Sequence, residues 1–539
     1  MAARALVLAL VLAGCGAPPA PAPAPVSPAK ETGSSDARLV LAVVIDQLPS
    51  WFLERHLQHL SPEGLIRQLD ETGVHLERVA FSYANTNTAP GHAAIFTGAP
   101  PAVSGVVGNQ VVDPERGTID FVDDGEHAVY GNPRDFVSPT ALRVPTVGDA
   151  LEAQRGEAAQ VVALSSKDRA AVLSGGRGAD LVLWYDAAIP GFTTSSYYGP
   201  LPAWLAAWLA AHPIEALLTP WQASDPVLLA DVAGADDAPG EGDLLGFGTT
   251  FPHDPKATSR PSSVVRLLPQ HSEYLVDLAR ASAAALDLGG DAIPDLLIVS
   301  ISGTDYVGHT FGPESWEYLD HLIRADLALG ALYRELSARA PTAALLTADH
   351  GVHPLPERAG TDRRIYPDEV AVTAQRAAEA LLGEGRWVDG FDKPLVFFAP
   401  ELLAHPRRDD ATRAIAAAIG ELWGIAAVYD LRAAERLASD PDPVRRMIAR
   451  SVARGDERGL YVLVKEGVIV DEDHPRGRGT THGTPYRRDC EVPVLFAGPG
   501  VARRRITEVL PQERVAPTLA ALLGIAAPAH VTAAPLPMR

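Results

Sequence analysis

Several runs in this chain share one form: consecutive apolar positions without alternation, closing on charged or small polar residues. Leu39-Val40-Leu41-Ala42-Val43-Val44-Ile45 ends at Asp46. Val161-Val162-Ala163-Leu164 ends at Ser165-Ser166-Lys167-Asp168-Arg169, and Asp295-Leu296-Leu297-Ile298-Val299-Ser300 leads into Gly303-Thr304-Asp305. Ala343-Ala344-Leu345-Leu346-Thr347 ends at Asp349-His350-Gly351, and Val492-Pro493-Val494-Leu495-Phe496 at Gly498-Pro499-Gly500. Runs without alternation suit strands of a parallel sheet buried on both faces. Between them, residues 314–338 carry Tyr318, Leu319, Leu322, Leu327, Leu329 and Leu332 near helical spacing, with Pro313 just before, which predicts a helix. Strands alternating with helices predict an α/β fold, a parallel sheet covered by helices on both faces. Ligands of such sheets bind beyond the carboxyl ends of the strands, where this sequence repeatedly sets polar residues.

Two stretches break the alternation. Residues 170–290 contain Trp184, Trp204, Trp208, Trp221 and an Asp/Gly-rich loop from Ala233 to Asp243. Residues 355–478 contain two helical patterns and short apolar runs such as Pro394-Leu395-Val396-Phe397-Phe398. Both read as cap subdomains inserted into one catalytic domain spanning 38–535.

The first residues read as a targeting segment. Arg4 precedes the apolar run Ala5 to Ala13, too short to span a bilayer and suited to a signal peptide over residues 1–14. Leu12-Ala13-Gly14-Cys15 resembles a bacterial lipobox, in which Cys15 becomes the lipidated first residue. The Pro/Ala-rich stretch within 15–37 then reads as a tether. The expectation is an exported protein, periplasmic or on the cell surface, anchored to the outer membrane and touching membrane only through that lipid. The chain has two cysteines. With Cys15 lipidated, Cys490 has no intrachain partner and reads as a small buried residue.

Composition adds two constraints. Hydrophobic residues make up 47% and charged residues 21%, enough to bury a large core. The formal net charge of −21 repels polyphosphate backbones, which argues against a nucleic-acid polymer as partner. A phosphate site here must be locally positive against that field, and metal ions could supply the charge.

The polar strand ends carry candidate chemistry. Asp46, Asp305, His309, Asp349, His350 and His482 make three carboxylates and three imidazoles with no thiolate. That donor set suits zinc or a similar borderline metal, with coordination positions left for substrate. Six ligands divide into two sites of three, and paired metals about 3.5–4 Å apart are the usual clamp for in-line phosphoryl displacement. Thr86-Asn87-Thr88-Ala89-Pro90-Gly91-His92 runs into Ala93-Ala94-Ile95-Phe96-Thr97-Gly98, a predicted helix start. A threonine there ordinarily caps its helix. It becomes a nucleophile only if a metal helps to deprotonate it, and a helix N-terminus adds favourable potential for a phosphoryl group.

On these motifs, matching in order, the sequence resembles the alkaline phosphatase superfamily. Within it, the threonine-nucleophile PafA-type alkaline phosphatases, relatives of the type I phosphodiesterase/nucleotide pyrophosphatases, match best. The likeness runs from Leu39-Val40 through Asp46-Gln47 to Val515-Ala516-Pro517-Thr518-Leu519. It implies an alkaline-phosphatase-like, mostly parallel central sheet with inserted caps, two Zn²⁺ ions, and hydrolysis of small-molecule phosphate monoesters by a monomer through a phosphothreonine. Thr88 matches the nucleophile of the Thr-x-Pro-Gly-His segment. Asp46, Asp349 and His350 match the ligands of the zinc that also holds Thr88. Asp305, His309 and His482 match those of the second zinc, and Asn109 the asparagine that contacts a phosphoryl oxygen. Lys167 and Arg169 match the Lys-x-Arg pair of the monoesterase branch, and His92 is given a structural role. One departure is visible: Gln110-Val111-Val112-Asp113 follows Asn109 where relatives often have aromatic residues.

Three other readings compete. A phosphodiesterase or nucleotide pyrophosphatase on the same fold shares every metal ligand and differs only at Lys167, Arg169 and the substrate mouth. A sulfatase needs a Cys/Ser-x-Pro-x-Arg segment, and Cys490-Glu491-Val492-Pro493 does not fit. An inactive, lipid-anchored binding protein should have lost ligands or nucleophile, and all are present.

Overall fold

Leu39–Ile45 forms strand β1, buried along its whole length. Leu39, Leu41, Val43 and Ile45 enter one apolar cluster, and Val40, Ala42 and Val44 enter another. Burial on both faces is why the run is apolar at every position rather than at alternate ones. The computed structural model describes residues 36–113, 116–360, 363–453, 458–471 and 476–538. The expected signal peptide, Cys15 and nearly all of the expected tether lie outside the described residues.

The main sheet continues with β2 (Val74–Ala80), β3 (Val161–Ser165), β4 (Leu181–Asp186), β5 (Gly191–Thr193), β6 (Asp295–Ile301), β7 (Thr342–Thr347), β8 (Glu491–Ala497) and β9 (Arg504–Ile506). Their spatial order is β9-β2-β8-β7-β1-β6-β3-β4-β5, and Leu510–Pro511 adds a tenth strand beside β2. The five central strands β7, β1, β6, β3 and β4 are mutually parallel. The run at 492–496 departs from the expected pattern: β8 is antiparallel to both β7 and β2. Full burial of its residues makes it look like its parallel neighbours in sequence.

Helices cover both faces. One face meets α1 (Thr88–Thr97), α2 (Asp168–Gly175) and a C-terminal helix at Val515–Leu522 through Ala93, Phe96, Val172 and Leu519. The other meets α3 (Pro269–Ala285), α4 (Gly303–Phe311) and α5 (Trp316–Arg339) through Leu275, Val307, Leu319 and Leu322. The helix expected over 314–338 is α5. Its first turn is held by Ser315, whose hydroxyl accepts the Tyr318 N–H at 3.1 Å.

Part of the first expected insertion belongs to the main sheet and its covering layer. Within 170–290, β4 and β5 pair into the main sheet and α3 packs on it. Trp184 marks a strand, not a cap: it lies in β4 with its side chain in the core. Within the second stretch, Val388–Asp392, Leu395–Phe398, Gly459–Val464 and Ile425–Asp430 form a separate antiparallel sheet. Helices Pro367–Leu382 and Arg408–Gly420 close a separate apolar cluster over it through Val370, Ala374, Ile415 and Ile419.

Candidate active site

Because β7, β1, β6 and β3 are adjacent and parallel, the residues following them emerge along one edge of the sheet. Asp46 follows β1, Lys167 follows β3, Asp305 and His309 lie on α4 just after β6, and Asp349 and His350 follow β7. His482 comes from a distant loop.

The ligating atoms of Asp46, Asp349 and His350 lie within 4.8 Å of one another, as do those of Asp305, His350 and His482. Asp305 Oδ1 is 3.2 Å from His309 Nε2 and 3.6 Å from His482 Nε2. The His350 and His482 rings stack with centroids 3.6 Å apart. The two expected ligand triplets therefore form one continuous constellation, with His350 where they meet.

The donor set fits metal on three counts. Each imidazole donates Nδ1–H to a backbone carbonyl: His309 to Thr480 at 2.8 Å, His482 to Thr86 at 2.8 Å and His350 to Gly351 at 3.0 Å. That fixes the tautomer and turns the Nε2 lone pair inward, the usual support for a ligating histidine. Asp46 Oδ1 and His350 Nε2 are buried and make no hydrogen bond among the described residues, and buried polar atoms rarely stay so. Finally, three buried carboxylates face one ammonium. Burial, then Asp305 and Asp349, push the Asp46 carboxyl well above its usual range despite Lys167, so the cluster favours added positive charge.

Lys167 lies inside this cluster. Its Nζ is 2.7 Å from Asp46 Oδ2, 2.5 Å from Asp305 Oδ2 and 3.3 Å from Thr88 Oγ1. Burial alone would lower its pKa, but Asp305 and Asp46 outweigh it and hold the ammonium above the usual lysine value.

Thr88 is the first residue of α1, and it does not cap that helix. Asn87 is the N-cap and makes no side-chain capping bond. The Ala89 N–H is taken instead by Asn109 Oδ1 at 2.9 Å. Asn109 thus does the capping from a neighbouring loop, and it also lines the cavity described below. The Thr88 hydroxyl is released from the backbone and points to Lys167. Gly91 sets how close α1 comes: a Cβ there would lie 2.2 Å from the Asp349 carbonyl oxygen and 2.8 Å from its Cβ. His92 bonds within the scaffold, with Nδ1 2.9 Å from the Thr88 carbonyl oxygen, Nε2 2.9 Å from Ser300 Oγ, and Nδ1 3.2 Å from Asp349 Oδ2.

A cavity of about 530 Å³ opens over this cluster, lined by Thr88, Asn109, Arg169, Asp305, His309 and His482 among others. Arg169 therefore reaches the cavity, whereas Lys167 stays below its floor among the carboxylates.

Sequence patterns did not single out several residues here. Gln47 bonds to both Asp305 and Asp349; its place directly after Asp46 was the available signal. Tyr306 lines the cavity, with Lys167 Nζ 5.1 Å and the Arg266 guanidinium 4.4 Å from its ring centroid. Phe391, Asp392 and Lys393 come from the hairpin joining Val388–Asp392 to Leu395–Phe398, and Lys393 Nζ donates to Thr481 Oγ1 at 2.8 Å. Nothing local in the sequence of that hairpin says that its tip reaches this site.

The profile of the family described as type I phosphodiesterase / nucleotide pyrophosphatase matches residues 40–474. The chain is 29% identical over 507 residues to alkaline phosphatase PhoV of Synechococcus elongatus, covering 91% of this chain and 90% of that one. It is 26% identical over 525 residues to alkaline phosphatase PafA of Elizabethkingia meningoseptica, covering 93% and 94%. The crystal structure of wild-type alkaline phosphatase PafA superposes with a TM-score of 0.84 at 25% identity, covering 93% of this chain and 98% of that one.

Proposed function

This chain belongs to the type I phosphodiesterase / nucleotide pyrophosphatase family, and from that premise we propose that it is an alkaline phosphatase. In this reading it hydrolyses small-molecule phosphate monoesters with Thr88 as nucleophile. The observation that carries the reading is the position of the Thr88 hydroxyl. It stands at the head of a buried helix, on the wall of the cavity and 3.3 Å from the Lys167 ammonium, which also holds Asp46 and Asp305. Likeness to proteins named alkaline phosphatase over nine-tenths of the chain supports it.

Two zinc ions, one held by Asp46, Asp349 and His350 and one by Asp305, His309 and His482, would supply Lewis acidity to the Thr88 hydroxyl and to the leaving oxygen. The chain's own residues do the rest. Thr88 Oγ1 attacks phosphorus in line. Its bond to phosphorus forms as the bond to the leaving oxygen breaks, giving a phosphothreonine. Water then attacks from the side the leaving group vacated, breaking the threonine ester and releasing inorganic phosphate. The Asn109 NH₂ and the Arg169 guanidinium turn toward the equatorial oxygens, and Lys167 is within reach of any oxygen bound at Thr88. Fixed donors of this kind contribute most to phosphoryl transfer.

Lys167 and Arg169 favour a monoester, which carries one more negative charge than a diester. A phosphodiesterase is the second reading, favoured by a cavity wide enough for a second substituent, with Phe391 on its wall. Export and lipidation at Cys15 belong to the same proposal; no helix among the described residues is long and apolar enough to cross a membrane. The test compares hydrolysis of an aryl phosphate monoester and the matching diester near pH 8–9, with bound metal measured and a chelated control. Faster monoester turnover that chelation abolishes is expected. Faster diester turnover selects the second reading, and activity untouched by chelation overturns the metal assignment.

A further inference from the structure

Gln47 combines three features that ordinary packing does not account for. Its φ is +67°, the left-handed region that residues other than glycine, asparagine and aspartate seldom occupy. Its side chain is fully buried, yet Oε1 has no hydrogen-bond partner among the described residues. That oxygen also lies over Gly308, where a Cβ would come within 1.8 Å of it, so the Asp305-x-x-Gly308-His309 turn of α4 leaves room for this side chain. The protein accepts a strained backbone, an unsatisfied amide oxygen and a weakened helix at one residue.

What Gln47 gains is a link between the two ligand groups. Its backbone N–H donates to Asp349 Oδ1 at 3.2 Å, and its side-chain Nε2 donates to Asp305 Oδ1 at 2.7 Å. The His350 N–H also donates to Asp349 Oδ1, at 3.0 Å. These two N–H groups hold that oxygen, so Oδ2 is the one that turns toward Asp46 and His350. The Gln47 carbonyl accepts the Tyr318 hydroxyl at 2.7 Å, which ties the turn to α5. The left-handed φ lets successive donors of one residue point at two carboxylates. Asparagine would suit the φ better but is one methylene too short for the same reach.

We propose that Gln47 is a positioning residue that sets the orientation of Asp305 relative to Asp349, and thereby the affinity of the Asp305–His309–His482 group for its metal. This rests on the two-metal reading above. Gln47→Gly separates the two bonds: it accepts the φ, keeps the backbone N–H on Asp349 and removes only the amide on Asp305. Gln47→Leu keeps the bulk and removes the same donor.

The experiment equilibrates the full-length holoenzyme with buffered free zinc and reads zinc bound per chain, together with Tm. His309→Ala serves to identify the step belonging to the Asp305 group. Wild type is expected to bind two zinc ions. Both Gln47 variants should hold the one lost in His309→Ala about 10–100-fold more weakly, the scale on which groups supporting metal ligands act. The other should be unchanged, and Gln47→Gly added to His309→Ala should weaken nothing further. Two zinc ions bound by both variants as tightly as by wild type would overturn the proposal, as would equal weakening of both steps with a matching fall in Tm. Fewer than two zinc ions on the saturated wild type would overturn the two-metal reading and this inference with it.

Discussion

Lys167 Nζ stands 3.3 Å from Thr88 Oγ1 while held between Asp46 and Asp305. One ammonium therefore touches the Thr88 hydroxyl and a carboxylate from each of the two carboxylate–imidazole groups. Its charge offsets buried carboxylates and, in the proposed mechanism, also meets a phosphoryl oxygen; mutation separates the two.

Lys167→Ala and Arg169→Ala are each expected to lower kcat/KM for an aryl monoester about 10²-fold, as loss of one fixed donor to a developing charge does. Diester turnover should fall by less than about tenfold, because the diester carries one charge fewer. Parallel kinetics on the two substrates check this, and equal losses would remove the basis for monoester preference.

Lys167→Met should also destabilise the metal-stripped protein by about 3–5 kcal/mol, the cost of leaving buried charges without their partner. Saturating zinc should recover part of that loss, since a ligand bound only by the folded state raises its stability. Thermal unfolding of both proteins, stripped and reloaded, measures it. An unchanged Tm in the stripped variant would show that the ammonium does not compensate the cluster.

Gly91→Ala tests the close approach of α1 to the end of β7. The added methyl meets the Asp349 carbonyl at 2.2 Å, and backbone cannot give way as a side-chain tip can. A loss of about 1–3 kcal/mol of stability is expected, with weaker zinc binding at the Asp349 group. Denaturant unfolding and zinc titration of the variant give both numbers, and wild-type values in both would show that the contact is loose.

Dialysis against a strong chelator should abolish turnover, and zinc should restore it. Added magnesium alone should not, because an imidazole-rich donor set matches borderline metals better than oxygen-seeking ones. Activity regained with magnesium as fully as with zinc would contradict the metal assignment.

The four parallel strands around the site were legible because burial on both faces makes β1 wholly apolar and leaves β3, β6 and β7 with no polar residue beyond Ser165, Asp295, Ser300, Thr342 and Thr347, nearly all at the strand ends; the candidate site residues follow those ends directly. β4 was hidden by Trp184, which reads as a cap residue when burial is unknown. The antiparallel pairing of β8 was hidden because full burial erases the sign of direction. Thr88 read as a helix cap by position, and its release depends on Asn109 capping α1 from another loop, a contact no local pattern encodes. Gln47 and Lys393 were missed for different reasons. Gln47 acts through a backbone angle, and Lys393 arrives from a separate subdomain whose placement over the site is a matter of tertiary packing.

In the proposed mechanism Thr88 carries the phosphoryl group during turnover. Acid quench of the zinc-loaded enzyme during steady-state hydrolysis of an aryl phosphate, followed by peptide mass spectrometry, tests it directly. Phosphate is expected on the peptide containing Thr88 and absent from Thr88→Ala, with a fall in that variant's turnover of about 10³-fold or more. Phosphate on another residue, or a Thr88→Ala enzyme that turns over at the wild-type rate, would contradict it.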